Sequence, residues 1–394
     1  MSRITAIETF ALRIPRDEPY LGPLTDCTAT NDGYFVRPGN KSVYHVADQC
    51  VLVKISTESG HSGWGECVSF VAPQAVVQII DQVMGPLLIG RDATDPVVLY
   101  HDCYDLMRVR GFFGGYWHDA LSAIDIALWD LTGQIRAVPL CKLLGGQRHE
   151  RIPAYVSGLP AGDLDARVAK AVSWRDRGFP AIKFASAVSY GSPGTEMAAL
   201  REGLGPDMAI LCDMHWRHTA AAAIAEVAEL HRHNLALAEA PCAPEDINGA
   251  AKVAASVSCP VGIGEELRTV FEFRPRFLAG CMDVIQPEMG RTGISSFMEI
   301  CTLARAFHAR VAPHASIGIG LFQAASLHAS AVLPHLWLHE YQHSIFDRNL
   351  RFLSGDMSCD AGSFSVPTGP GLGVAPKDEV FNYLLSTEEA AHVS

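Results

Sequence analysis

Apolar and polar residues alternate in "ITAIETFALRI" near the start of the chain, and a denser apolar run, "CVLVKISTESGHSGWGE", is interrupted by turn residues in its middle. The first pattern predicts a strand with one face in a core, and the second predicts two strands joined as a hairpin. Helical patterns follow in "APQAVVQIIDQVMGPLLIG", "DPVVLYHDCYDLM" and "WHDALSAIDIALWDLTGQIRAVPLCKLLGG", the last expected to end at Gly145 and Gly146. Between the strands, Pro15 to Asn40 is polar, with Gly, Pro, Asn and Asp throughout. It reads as a mobile loop carried by an α+β domain.

From Arg151 onward the pattern changes. Eight short β-like runs, "IPAYVSG", "AIKFAS", "AILCDMH", "LALAEAP", "VGIGEE", "DVIQPE", "RVAPHA" and "LWLHEY", each adjoin an amphipathic helical stretch. Such regular alternation predicts a (β/α) barrel. A doubly wound open sheet would carry a glycine fingerprint, but "GIGLFQ" has Gln323 where the third glycine belongs. The expected organisation is an α+β capping domain over residues 1–130, a barrel over 131–355 and a C-terminal segment over 356–394.

Charge and composition narrow the partners. A net charge of −12 and a pI near 5.7 argue against nucleic acid or an anionic membrane surface. The N-terminal stretch lacks the apolar core of a signal peptide, and no apolar run is long enough to span a bilayer. Eleven scattered cysteines without a C-x-x-C suit reduced thiols in a cytoplasm. A cytoplasmic protein acting on a small molecule is expected.

The polar residues that close the β-like runs point to chemistry. Asp213, Glu239 and Glu265 stand 26 residues apart in turn; Glu288 follows after 23, and His314 and Glu340 after 26 each. One βα unit is about this long, so successive strands would present one polar group each at a single mouth, where barrel active sites lie. One such acid alone would read as a helix cap. Six strand ends in register predict a site. His215, two residues after Asp213 in "LCDMHWRHT", is expected to share its strand face.

Three carboxylates on neighbouring strands repel one another unless a cation joins them. All-oxygen donors suit Mg²⁺ better than zinc. Such an ion would polarise a substrate carboxylate and make its α-proton acidic, with the enediolate charge held on oxygens. Two histidines can then serve as base and acid near neutral pH. Glu288 is placed to hold the other ring nitrogen of His314.

With "DMHWR", "AEAP", "GEE", "QPE", "APH" and "HEY", the chain resembles the enolase superfamily in its mandelate racemase branch, and is most similar to the acid-sugar dehydratases of the galactonate-dehydratase type. The resemblance implies a (β/α)7β modified TIM barrel under an N-terminal α+β cap. It implies too that the loop at 15–40 closes over the substrate and that the tail "GPGLGVAPKDEV" returns to the cap. Carried over by motif, Asp213, Glu239 and Glu265 would be the Mg²⁺ ligands, His314 the base and His215 the acid. Glu288 would orient the base, and Glu340 would stabilise the enediolate. Lys183 and Arg217 are candidate substrate contacts, with a salt-bridging lysine and a surface arginine as the plainer readings. Ala185 stands where racemising relatives carry a second lysine, and Glu288 where the family usually has Asp. His339 has no assigned role, and alternation would turn Glu266 away from the site.

The expected reaction is therefore dehydration of an aldonate or aldarate to a 2-keto-3-deoxy acid. Racemisation, epimerisation or cycloisomerisation through the same enediolate is the alternative, and a non-catalytic sugar-acid binder is a third. A homo-oligomer is expected.

Overall fold

The computed structural model describes residues 2–24 and 27–385. Strand β1 (Ile4–Ile14) leads to a short hairpin of β2 (Tyr34–Val36) and β3 (Val43–His45), followed by β4 (Asp48–Thr57) and β5 (Ser62–Val68). Strands β1, β4 and β5 form one antiparallel sheet in that order. The dense apolar run of β4 has a direct cause, because both of its faces are buried. Val51, Val53 and Ile55 pack with the capping helices, whereas Cys50 and Leu52 join the core that continues into the barrel.

The helix Gly115–Arg136 lies directly on β5, and glycine permits that approach. A Cβ at Gly65 would sit 2.0 Å from the Ala123 carbonyl oxygen, which as backbone cannot swing aside. Gly65→Ala should therefore destabilise the fold by roughly 1–3 kcal/mol, in the range of other overpacking changes. Urea unfolding checks this, and an unchanged midpoint would show that sheet and helix have slack between them.

This helix ends earlier than its apolar pattern suggests. Ala137 adopts a left-handed conformation (φ 53°), and after Pro139 a separate short helix spans Leu140–Leu143. Pro139 cannot donate to a helical ladder and disfavours helical geometry at Val138, so the expected continuation to Gly146 is broken there. Residue 130, where the sequence pattern put the end of the cap, lies inside this continuous helix.

Eight strands then follow in parallel: β6 (Arg151–Ser157), β7 (Ala181–Ala185), β8 (Ala209–Asp213), β9 (Leu235–Glu239), β10 (Val261–Ile263), β11 (Val284–Ile285), β12 (Arg310–Val311) and β13 (His339–Tyr341). Each pairs with its sequence neighbour from β6 to β12, and β13 pairs back onto β6. The seam between β12 and β13 is narrower. A parallel bridge joins Val311 and Leu336, and the Trp337 and Glu340 amides donate to Val311 and Pro313 at 2.8 and 3.1 Å. The chain thus alternates strand and helix seven times and ends on an eighth strand, beneath an α+β cap.

Tyr155, Ala181, Leu211, Leu237, Val284, Ala312 and Leu338 fill the barrel interior as a cluster of their own. The other faces of the strands pack on the surrounding helices, which explains their nearly continuous apolar runs. After β13 the chain crosses to the cap, where Phe381 packs on Phe10 and Trp64, and the Leu385 amide donates to Ala11. All eleven cysteines are free. No helix among the described residues is long and apolar enough to cross a membrane.

Candidate active site at the mouth of the barrel

The strand register gathers the polar strand ends. Ala185, Asp213 and Glu239 are lateral partners on β7, β8 and β9. Lys183 lies deeper on β7, and its long stem brings Nζ to 2.7 Å from Glu239 Oε1 and 2.9 Å from Glu340 Oε1. Gln286, within "QPE", donates from Nε2 to Glu239 Oε2 at 2.6 Å.

His215 reaches the site by another route than strand alternation. Strand β8 stops at Asp213, and His215 and Trp216 both take left-handed φ values of 51° and 53°. Such backbone is unfavourable for residues other than glycine and needs outside support. The Trp216 amide supplies some by donating to the Ala240 carbonyl at 2.7 Å, and Asp213 Oδ1 accepts from the His215 amide at 2.9 Å. The turn leaves His215 Nδ1 3.2 Å from Asp213 Oδ1. The expectation of one shared strand face is thus corrected: a strained turn makes the pair.

His314 follows β12 and is bracketed by acids. Its Nδ1 is 2.5 Å from Glu288 Oε2, its Nε2 is 2.7 Å from Glu265 Oε2, and Glu340 Oε2 lies 3.5 Å from Nε2. Burial opposes charge on the ring, but Glu265, Glu340 and Glu288 together hold its pKa well above the ordinary imidazole value. Burial would likewise raise Glu265, yet His314, Lys183 and His215 bring that carboxyl down to about 2. Glu239 responds the other way. Burial, with the charges of Asp213, Glu340 and Glu265, pushes it up to about 8 despite Lys183.

These groups surround a cavity of about 370 Å³. Lys183, Asp213, His215, Glu265, His314 and Glu340 line its barrel side. Tyr20, Asn40, Ser42, Tyr44 and Phe70 of the cap line the other. Sequence pattern marked residues 15–40 as a loop but could not single out Tyr20 or Tyr44. Tyr20 accepts a hydrogen bond from Gln342 Nε2 at 3.3 Å, and Tyr44 one from Asn40 Nδ2 at 2.8 Å. Thr25 and Asp26 of that loop lie outside the described residues.

Arg217 does not line the cavity. Its guanidinium turns to Ser186 Oγ at 2.9 Å and Glu226 at 3.5 Å, while His215 and Trp216 before it line the cavity. His339 is also spoken for, with Nε2 2.7 Å from Ser326 Oγ and Nδ1 2.9 Å from the Glu340 carbonyl. Glu266, expected to point away, contributes to the cavity wall, and neither of its carboxylate oxygens has a hydrogen-bond partner.

The donor set of Asp213, Glu239 and Glu265 fits a hard divalent cation: it is all oxygen, and its charges raise one another's burial cost. The protein's own cations stand against two of these acids, Lys183 at Glu239 and His314 at Glu265. Among the described residues, no three His, Cys, Asp or Glu side chains converge at ion-binding distances in this arrangement.

Comparison with known proteins gives this geometry a context. Residues 166–380 match the enolase C-terminal domain-like family, and residues 25–145 match the N-terminal domain of mandelate racemase and muconate lactonizing enzyme. The chain is 32% identical to a D-gluconate dehydratase from Thermoproteus tenax, over 85% of this chain and 69% of that one. It is 31% identical to a D-galactarolactone cycloisomerase from Agrobacterium fabrum, over 82% and 88% of the two chains. A crystal structure from Sinorhizobium meliloti, provisionally described as an isomerase, superposes with a TM-score of 0.96 at 50% identity, covering 97% of this chain and 99% of that one.

Proposed function

The chain belongs to the mandelate racemase and muconate lactonizing enzyme family of the enolase superfamily, and from that premise we propose that it dehydrates an acid sugar to a 2-keto-3-deoxy acid with Mg²⁺ as cofactor. The observation that carries the reading is the environment of His314. Glu288 holds its Nδ1, its Nε2 faces Glu265 in the cavity, and a second imidazole, His215, lines the same cavity from the end of β8, four strands round the barrel.

Asp213, Glu239 and Glu265 would hold the ion, which when bound supplies Lewis-acid polarisation of the substrate carboxylate. With Glu265 taken up by the ion, the His314 ring would release to solvent the extra proton that this pairing holds on it, and its neutral Nε2 then takes the α-proton. Hydrogen bonding of Nδ1 to Glu288 fixes the tautomer and stabilises the imidazolium that forms. The buried Lys183 ammonium lies close to where charge develops on the substrate and favours it. Burial would raise Glu340, expected to stabilise the enediolate directly, but Lys183 and His314 hold it below its ordinary value, so it acts instead as an acceptor. It orients Lys183 Nζ and the Ala315 amide, which donates to it at 2.9 Å. His215 gives its proton to the β-hydroxyl, which leaves as water, and the enol that remains tautomerises to the keto acid.

Likeness to a cycloisomerase supports a second reading, in which the same proton abstraction rearranges a ring without loss of water. Incubating the protein and Mg²⁺ with aldonates, aldarates and their lactones separates the two. Dehydration yields a 2-keto acid one water lighter than its substrate, and cycloisomerisation a product of unchanged mass. His215→Asn tests the division of labour. It should stop keto-acid formation yet leave slow, configuration-retaining exchange of the α-proton in D₂O, since His314 is intact. Wild-type protein that inverts the α-carbon and forms no keto acid would overturn the dehydratase reading.

A further inference from the structure

Glu66 is an acid of the cap that neither the strand-end pattern nor the reaction uses. It lies on β5, is wholly buried and accepts four backbone hydrogen bonds from a segment about 250 residues away. The Ile319 amide donates to Oε1 at 2.5 Å, and the Gly320, Leu321 and Phe322 amides donate to Oε2 at 3.1, 2.8 and 3.3 Å. These amides open the helix Leu321–Ser330, whose unpaired N–H groups and dipole favour a negative charge. A carboxylate taken wholly out of water needs such compensation. The fit is also steric, since a Cβ at Gly318 would sit 2.4 Å from Phe322 Cε1 and 2.6 Å from Glu66 Oε1.

The segment held in this way begins at His314. The Ala315 amide donates to Glu340, Ser316 and Ile317 line the cavity, and the Gly318 carbonyl accepts from Asn349 Nδ2 at 2.8 Å. Every residue from the imidazole to the helix is therefore either tied down or part of the cavity wall. The tie at the far end comes from the cap sheet and not from the barrel.

We propose that Glu66 is a positioning residue for the reaction: by fixing residues 315–322 from the cap, it sets the backbone of His314 and the cavity wall beside it. The inference rests on the reading of His314 as the base. Cap docking and placement of the base then become one event.

Glu66→Gln keeps the shape but turns an amide N–H₂ toward N–H donors, and Glu66→Asp keeps the charge on a shorter stem. Both are compared with wild type at a temperature where circular dichroism shows each fully folded, using the aldonate or aldarate that wild type turns over fastest. Glu66→Gln should lower kcat and α-proton exchange together, by about 10- to 100-fold as expected for a displaced catalytic group, with KM changed far less. Glu66→Asp should recover part of both. Gly318→Ala crowds both the Glu66 carboxylate and the Phe322 ring of the segment it holds, and should give the same signature if Glu66→Gln does not fold. A lowered melting temperature with kcat and exchange unchanged per folded molecule overturns the proposal and leaves a purely structural cap. If no acid sugar is turned over by wild type, the functional reading fails and takes this inference with it. Turnover abolished by His314→Asn but untouched in the Glu66 and Gly318 variants sinks the inference alone.

Discussion

His314→Asn should lose α-proton exchange and product formation together, by on the order of 10²–10⁴-fold, the usual contribution of a positioned general base. Asparagine is close in size to the imidazole but has no basic nitrogen. The loss belongs to the proton-transfer step, so kcat should fall more than KM rises. NMR of an acid-sugar substrate in D₂O reads the exchange, and a coupled assay for the 2-keto acid reads the product. Glu288 is fully buried and would lose its ring partner at Nδ1, so the variant should also be less stable. Denaturant unfolding measures that separately. Exchange at the wild-type rate in a folded variant would assign the base to another group.

Glu239→Gln is the second large effect. Burial and the neighbouring charges of Asp213, Glu340 and Glu265 disfavour its ionised form and push its carboxyl up to about 8. A bound divalent cation relieves that repulsion, and the neutral amide removes one of its anionic donors. Lewis-acid stabilisation is worth several kcal/mol and each ~1.4 kcal/mol is tenfold in rate, so turnover should fall by about 10²-fold or more. Calorimetric titration with Mg²⁺ in the absence of substrate should show weaker binding, a readout independent of activity. Lys183 keeps Glu340 as a partner, so the barrel should stay folded. Full activity of wild-type protein in excess EDTA would remove the metal from the account.

The barrel and its polar strand ends were legible in the chain because both follow from short-range rules. A βα unit has a nearly constant length, and a strand buried on both faces must be apolar until it meets the mouth. The spacing from Asp213 to Glu340 therefore reports position around a ring without any knowledge of the contacts. The same reasoning misread what depends on backbone conformation at single residues. His215 meets Asp213 through two left-handed residues and not by strand alternation, and the following Arg217 turns out to Ser186 and Glu226. The helix expected to reach Gly146 stops at Ala137, although Pro139 was there to be weighed.

Other features were beyond the sequence for a different reason. Lys183 joins Glu239 to Glu340, Gln286 donates to Glu239, and Tyr20 and Tyr44 reach the cavity from the cap. Glu66 grips the segment behind His314 from a strand about 250 residues away. By itself the sequence determined the alternation of elements, the capping domain and the ring of acids and imidazoles, because periodicity and strand-end polarity are local properties. Strand-end spacing also suggested Glu288 as the partner of His314, whereas the tertiary structure alone decided that Lys183 pairs with Glu239 and Glu340, that Glu265 meets His314, and which cap side chains face the cavity. Those outcomes depend on distances between residues far apart in the chain, and no local pattern encodes them.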